Sequence, residues 1–143
     1  MTILAHNKRA HFDYEIKDTF TAGMVLSGAE VKSVKTGNVS LAGSYVTTAD
    51  SSVNLINAHI GAYKYARVDG YNPTQTRKLL MQKKEINELL GKAKGLVIVP
   101  LEIFKTKQGW IKLSLGIGKA KKKTDKRETI KKRDLDREIR RNL

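Results

Sequence analysis

The chain runs to 143 residues, the size of one ordinary domain, so a single core with appendages is expected and a multidomain machine is not. Its 28 Lys and Arg against 14 Asp and Glu leave a formal charge of +14, which points to a polyanionic partner, nucleic acid ahead of an anionic membrane surface. There is no cysteine, hence no disulfide, thiolate metal site or Cys nucleophile; no apolar run approaches a membrane span, and residues 1–10 lack the apolar stretch of a secretion signal, so a soluble, cytoplasmic protein is expected.

Phe12, Tyr14 and Ile16 alternate with Asp13, Glu15 and Lys17, the period of a half-buried strand, and predict a first strand over residues 11–17. Residues 20–26 read as the second. Gly28 and Gly37 then bracket Glu30, Val31, Val34 and Lys35 at helical spacing, predicting a short helix within residues 28–38. Residues 41–48 and 53–60 read as the third and fourth strands, joined by the polar turn Asp50-Ser51-Ser52.

The next segment, Asn72-Pro73-Thr74-Gln75, carries a helix start signal: Asn as N-cap, Pro at the first position, Gln where a capping box needs it. Leu79, Ile86, Leu90 and Ala93 share one helical face, and Gly95 offers a stop. Arg77 and Lys78 would then fall in the first turns, where the helix dipole disfavours a cation and an external phosphate is the better partner. Residues 96–104 and 110–116 complete the series as the fifth and sixth strands about Lys107-Gln108-Gly109, with Pro100 requiring an edge or a bulge. The fold class expected is mainly β with α: a six-stranded antiparallel OB-like β-barrel with about three helices.

The last sixth of the chain differs in kind. Residues 119–143 carry 12 basic and 5 acidic side chains, against 16 and 9 in residues 1–118, so half the net charge lies there. A boundary near Gly118 divides an RNA-binding barrel, 1–118, from a basic tail, 119–143. The tail has too few apolar residues to fold alone. Its ion pairs nevertheless recur at helical spacing, Glu128 with Lys132, Asp134 with Arg137, Asp136 with Arg140 and Glu138 with Arg141, beside a thin stripe of Leu135, Ile139 and Leu143. It is expected to be disordered alone and helical when bound.

Catalysis finds little to work with. No HExxH, GxSxG, GxxxxGK[ST] or GxGxxG occurs, and His6, His11 and His59 are the only histidines. His59 reads better as a partly exposed histidine than as a general base. RNA binding is better supported, because Tyr63, Tyr65, Arg67 and Tyr71, with Lys64, interleave aromatic and basic groups in one loop. That loop either forms a binding lip or covers one end of the barrel.

Several separated segments resemble one family. Asn7-Lys8-Arg9-Ala10 followed by FDYEI, the stretch AGMVLSGAEVKSVKTG over residues 22–37, NPTQTRKLL over 72–80, the lysine run after Gly118 and DKRETIKKRD over 125–134 together are similar to the small protein B family, the tmRNA-binding proteins of bacterial trans-translation. The resemblance spans nearly the whole chain. It implies an OB-like barrel that binds the tRNA-like domain of tmRNA in place of an anticodon arm and delivers it to stalled ribosomes. It also implies a tail that enters the empty mRNA channel beside the decoding centre, leading to peptide tagging and ribosome rescue.

Carried over residue by residue, the resemblance assigns RNA-facing or fold-supporting roles to Asn7, Arg9, Glu30, Lys32, Leu80 and Lys112, with Arg77 and Lys78 in the same matching motif. In the tail it points to ribosomal RNA contacts at Lys121, Lys122, Lys123, Asp125, Lys126, Arg127, Ile130, Lys131, Lys132, Arg133 and Arg137. The chain departs from the family pattern at Thr124, where an aromatic or histidine is common, at Gln75, where Arg is, and at Thr21, where an acidic residue is. No metal, cofactor, membrane partner or enzymatic activity is expected, and the free protein is expected to be a monomer. The alternatives are a structural ribosomal protein with a basic rRNA-binding extension and, well behind it, a nuclease using His59 with Glu30 or Lys32.

Overall fold

A computed structural model describes residues 1–49, 51–66, 69–122 and 127. Among them are nine strands and three helices: β1 (Thr2–His6), α1 (Ala10–Asp13), β2 (Tyr14–Met24), α2 (Gly28–Lys35), β3 (Val39–Ser40), β4 (Tyr45–Ala49), β5 (Ser52–Ile56), β6 (His59–Ile60), β7 (Arg77–Leu80), α3 (Lys83–Lys92), β8 (Val97–Lys105) and β9 (Ile111–Ala120). No helix among the described residues is long and apolar enough to cross a membrane.

Seven strands form one antiparallel sheet in the order β1-β8-β9-β2-β7-β5-β4, and β3 pairs with β6 beside it. The sheet curls until its edge strand β4 comes alongside β8, and β1 meets β3, giving the barrel-like wall that the alternating pattern predicts. Val53, Leu55, Leu79, Ile103, Leu113, Leu115 and Ile117 face inwards from the wall, and Val34 of α2 and Leu89 of α3 enter the same core.

The difference from six strands has both local and distant causes. The first two candidates are one strand, β2, whose register shifts between Ile16 and Asp18, and its expected first turn is instead the helical α1. The fourth candidate is divided because Asn57 takes a left-handed φ of 62°, which ends β5 and starts β6. The added β1 pairs with β8, a partner far along the chain that a local pattern does not reveal. Both expected hairpins form, turning at Ser51 (φ 66°) and Gly109 (φ 90°), and Pro100 sits where the β8–β9 register shifts, as a proline inside a strand requires.

The helix expected from Asn72 onward needs correction. Asn72 Oδ1 does accept from the Thr74 amide, but the turn is not continued: residues Arg77–Leu80 are β7, hydrogen-bonded between β2 and β5. The helix begins later, as α3, where the Gln82 amide donates to Glu85 Oε1, and it ends before Gly95 in the left-handed region, as expected. Sheet pairing on both sides of β7 outweighs a local start signal. Arg77 and Lys78 are therefore strand residues facing opposite sides of the wall, and the helix-dipole reason for placing a phosphate on them does not hold.

Candidate nucleic-acid interface

The short helix α2 starts with a reciprocal cap: Ser27 Oγ accepts from the Glu30 amide at 3.2 Å, and the Ser27 amide donates to Glu30 Oε1 at 3.1 Å. The cap turns the Glu30 carboxylate inwards. There Oε2 accepts from Arg77 Nε at 3.0 Å and Nη2 at 2.7 Å, and from Gln75 Nε2 at 3.2 Å. Tyr71 completes the cluster, its hydroxyl 3.2 Å from Glu30 Oε2 and 2.8 Å from the Ile60 carbonyl while accepting from Arg77 Nη2 at 3.1 Å.

Both ends of the ion pair are buried, and the remaining Arg77 Nη1 donates to the Ala58 carbonyl. Burial pushes the Glu30 carboxyl up, but the Ser27 amide, the Arg77 guanidinium and the Gln75 amide outweigh it and hold it below the usual range. The cluster ties α2, the loop after β6 and β7 together. Gln75, at a position where the family pattern often has Arg, serves as one of its donors.

On the outer side of this clamp the aromatic loop meets α2. Lys32 Nζ lies 5.6 Å from the Tyr63 ring centre, Tyr63 and Tyr65 meet edge to face at 5.5 Å, and Lys64 Nζ lies 5.4 Å from the Tyr65 ring. Tyr65 is 77% exposed. A cavity of about 500 Å³ opens between Ser27, Glu30, Tyr63, Tyr71, Asn72 and Gln75. Arg67, expected in this lip, lies outside the described residues. An exposed and a half-buried ring bordered by ammonium groups can stack on unpaired bases and hold the adjoining phosphates.

A second group lies on the outer face of the sheet. Register places Leu80 of β7, Gly23 of β2 and Lys112 of β9 directly opposite one another across three strands. Lys78 precedes Leu80 on the same face, exposed, and among the described residues neither Lys78 nor Lys112 has a carboxylate partner. Asn7 and Arg9 form a third group, bordering different cavities. Asn7 Nδ2 donates to the Pro100 carbonyl at 2.8 Å, fastening the turn before α1 to the bulge of β8, while the exposed Arg9 pairs with Asp13 and lies 4.7 Å over the Phe12 ring.

The predicted barrel residues are thus divided. Glu30 and Arg77 face the interior, Lys32 borders the aromatic loop, Lys78, Leu80 and Lys112 share the sheet face, and Asn7 and Arg9 stand apart. Sequence reasoning missed that Tyr71 and Gln75 serve Glu30, because their separations of 41 and 45 residues leave no local signature.

β9 runs two residues past the expected boundary at Gly118. Beyond it the Lys121 amide donates to the Asp13 carbonyl at 2.9 Å, and Lys122 and Arg127 are exposed. Lys123, Asp125, Lys126, Ile130, Lys131, Lys132, Arg133 and Arg137, with Thr124, lie outside the described residues.

A family model described as SmpB protein matches residues 4–143. The chain is 45% identical to the SsrA-binding protein of Halalkalibacterium halodurans, over 99% of this chain and 92% of the relative. It is 46% identical to that of Coprothermobacter proteolyticus, over 99% and 96%. Its fold is similar to a chain in the solved structure described as "tmRNA-SmpB: a journey to the center of the bacterial ribosome", with a TM-score of 0.69 at 37% identity, covering 87% of this chain and 92% of that one.

Proposed function

The chain belongs to the SmpB protein family, and from that premise we propose that it is the tmRNA-binding adaptor of trans-translation. Its barrel binds the tRNA-like domain of tmRNA, stands in for the missing anticodon arm and accompanies the RNA to ribosomes stalled without a usable codon. The tail then enters the empty mRNA channel near the decoding centre and folds there against ribosomal RNA, which leads to peptide tagging and release of the ribosome.

The observation that carries this reading is the near full-length likeness to SsrA-binding proteins, SsrA being the tmRNA itself. The surface supports it physically. Lys32 beside the half-buried Tyr63, Lys64 beside the exposed Tyr65, and Lys78 and Lys112, which have no acidic partner among the described residues, supply cations and stacking rings for an RNA. Within that surface we assign Lys32, Lys78, Leu80 and Lys112 to RNA contact, Arg9 to an outlying contact, and Glu30, Arg77 and Asn7 to holding the contact elements in place. The tail residues named above, Lys121 to Lys123, Asp125 to Arg127, Ile130 to Arg133 and Arg137, are assigned to ribosomal RNA.

The role requires no catalytic turnover by this chain. His59 is exposed on β6, and Glu30 is held by Arg77 inside the fold, so the pairing of His59 with Glu30 as a nuclease has no support in the geometry. A pull-down from a bacterial lysate, with sequencing of the bound RNA, tests the assignment. One dominant tRNA-like RNA whose binding falls steeply with salt is expected. Equal affinity for tmRNA and a random duplex at physiological salt would refute it.

A further inference from the structure

Three glycines lie inside strands, and the fold explains two of them. A Cβ on Gly116 would come 2.9 Å from Ile16 Cγ2 and 3.1 Å from Leu101 Cδ1, and one on Gly118 would come 2.6 Å from the Glu15 carbonyl oxygen. Gly118 is closed to any side chain by the β2–β9 backbone approach itself, and Gly116 is taken up by the packed ends of Ile16 and Leu101. Gly23 is different. A Cβ there would touch only Leu80, at an ordinary 3.4 Å from its Cβ, and its φ is not left-handed. The register shift of β2 lies elsewhere, between Ile16 and Asp18.

A glycine in a strand interior weakens the strand and marks a bulge, a tight bend or the close approach of another group, and the exposed surroundings of Gly23 favour the last. The surroundings of Gly23 say what that group is. Leu80 is 54% exposed and Val25 48% exposed, two large apolar side chains left on the solvent side of a sheet. Lys112 flanks the gap on β9 and Lys78 on β7. A low apolar floor between two ammonium groups fits a ribose with a phosphate on either side.

We propose that Gly23 is the floor of a backbone contact with the bound RNA, in which one ribose lies over Gly23 against Leu80 and Val25 and its neighbouring phosphates reach Lys78 and Lys112. The proposal rests on the tmRNA-binding reading above and adds a residue without a side chain to that surface. Any side chain at position 23 lifts the RNA away from both lysines at once.

The test uses the full chain, its Gly23→Ala and Gly23→Val variants, and a transcript of the tRNA-like domain. Both variants should melt no lower than the parent. Affinity should fall about three-fold for Ala and about ten-fold for Val. The salt slope should stay unchanged in both, since no cation is removed, whereas Lys112→Ala should lower it by about one. If Gly23→Val does not fold, Gly23→Ala decides, because its added carbon makes only an ordinary contact. Parental affinity in the variants overturns the proposal, as does a loss of affinity matched by a loss of stability in Gly23→Ala. Failure of the parent chain to prefer the tRNA-like domain over a random duplex strikes the tmRNA reading instead.

Discussion

Arg77 Nη2 stands 2.7 Å from Glu30 Oε2, joining β7 to the first turn of α2 across 47 residues of chain, with 1% and 5% of the two side chains exposed. An ion pair so enclosed gives little net stability over an apolar pair of like volume, yet losing one partner strands the other charge. Arg77→Met should therefore cost about 3–5 kcal/mol in urea unfolding, and adding Glu30→Leu should recover much of it. A loss below about 1 kcal/mol in the single variant would show that the pair is not the clamp it forms here.

The same carboxylate sets an acid limit. Its pKa in the folded chain lies below its unfolded value of 4.5, so its contribution is complete above that pH and is lost as pH falls through the folded value. Wild-type stability should decline below about pH 4.5, while Glu30→Gln, less stable at neutral pH, should show a flatter acid limb. Parallel curves for the two proteins between about pH 3 and 6 would contradict it.

Gly118 faces the Glu15 carbonyl oxygen so closely that Gly118→Ala must push β9 away from β2 near the Tyr14–Ala120 end of their pairing. A cost of about 1–3 kcal/mol is expected, with faster amide exchange in that stretch. An unchanged melting temperature would mean that the strands are looser there than the geometry shows.

The fold class was legible in the sequence because inward and outward residues alternate along β2 and the first half of β9, and because hairpin turns keep their local chemistry at Ser51 and Gly109. What stayed hidden was decided by distant partners. Residues 77–80 read as helix on their neighbours' signals and became strand because β2 and β5 flank them. The resemblance left Glu30 open between an RNA-facing and a fold-supporting role, with Arg77 in the same motif, and only the three-dimensional fold turns both inwards. Lys112 was assigned by resemblance alone, and its alignment with Leu80 across Gly23 follows from register, which a single sequence does not display.

Two substitutions separate stacking from charge at the proposed RNA surface. Tyr63→Ala should weaken binding of the tRNA-like domain by about 1–3 kcal/mol with the salt slope unchanged, because a ring and no cation is lost. Lys112→Ala should weaken it while lowering the slope by about one. Interchanged signatures, measured by titration at several salt concentrations, would mean that the two patches have been given each other's roles.

The division of labour between barrel and tail is tested most directly by ending the chain after Ala120 and measuring two things in parallel: affinity for the tRNA-like domain and peptide tagging on stalled ribosomes. Affinity close to that of the full chain with tagging abolished is the expected result. Full tagging by the shortened chain, or loss of RNA affinity along with the tail, would contradict the division.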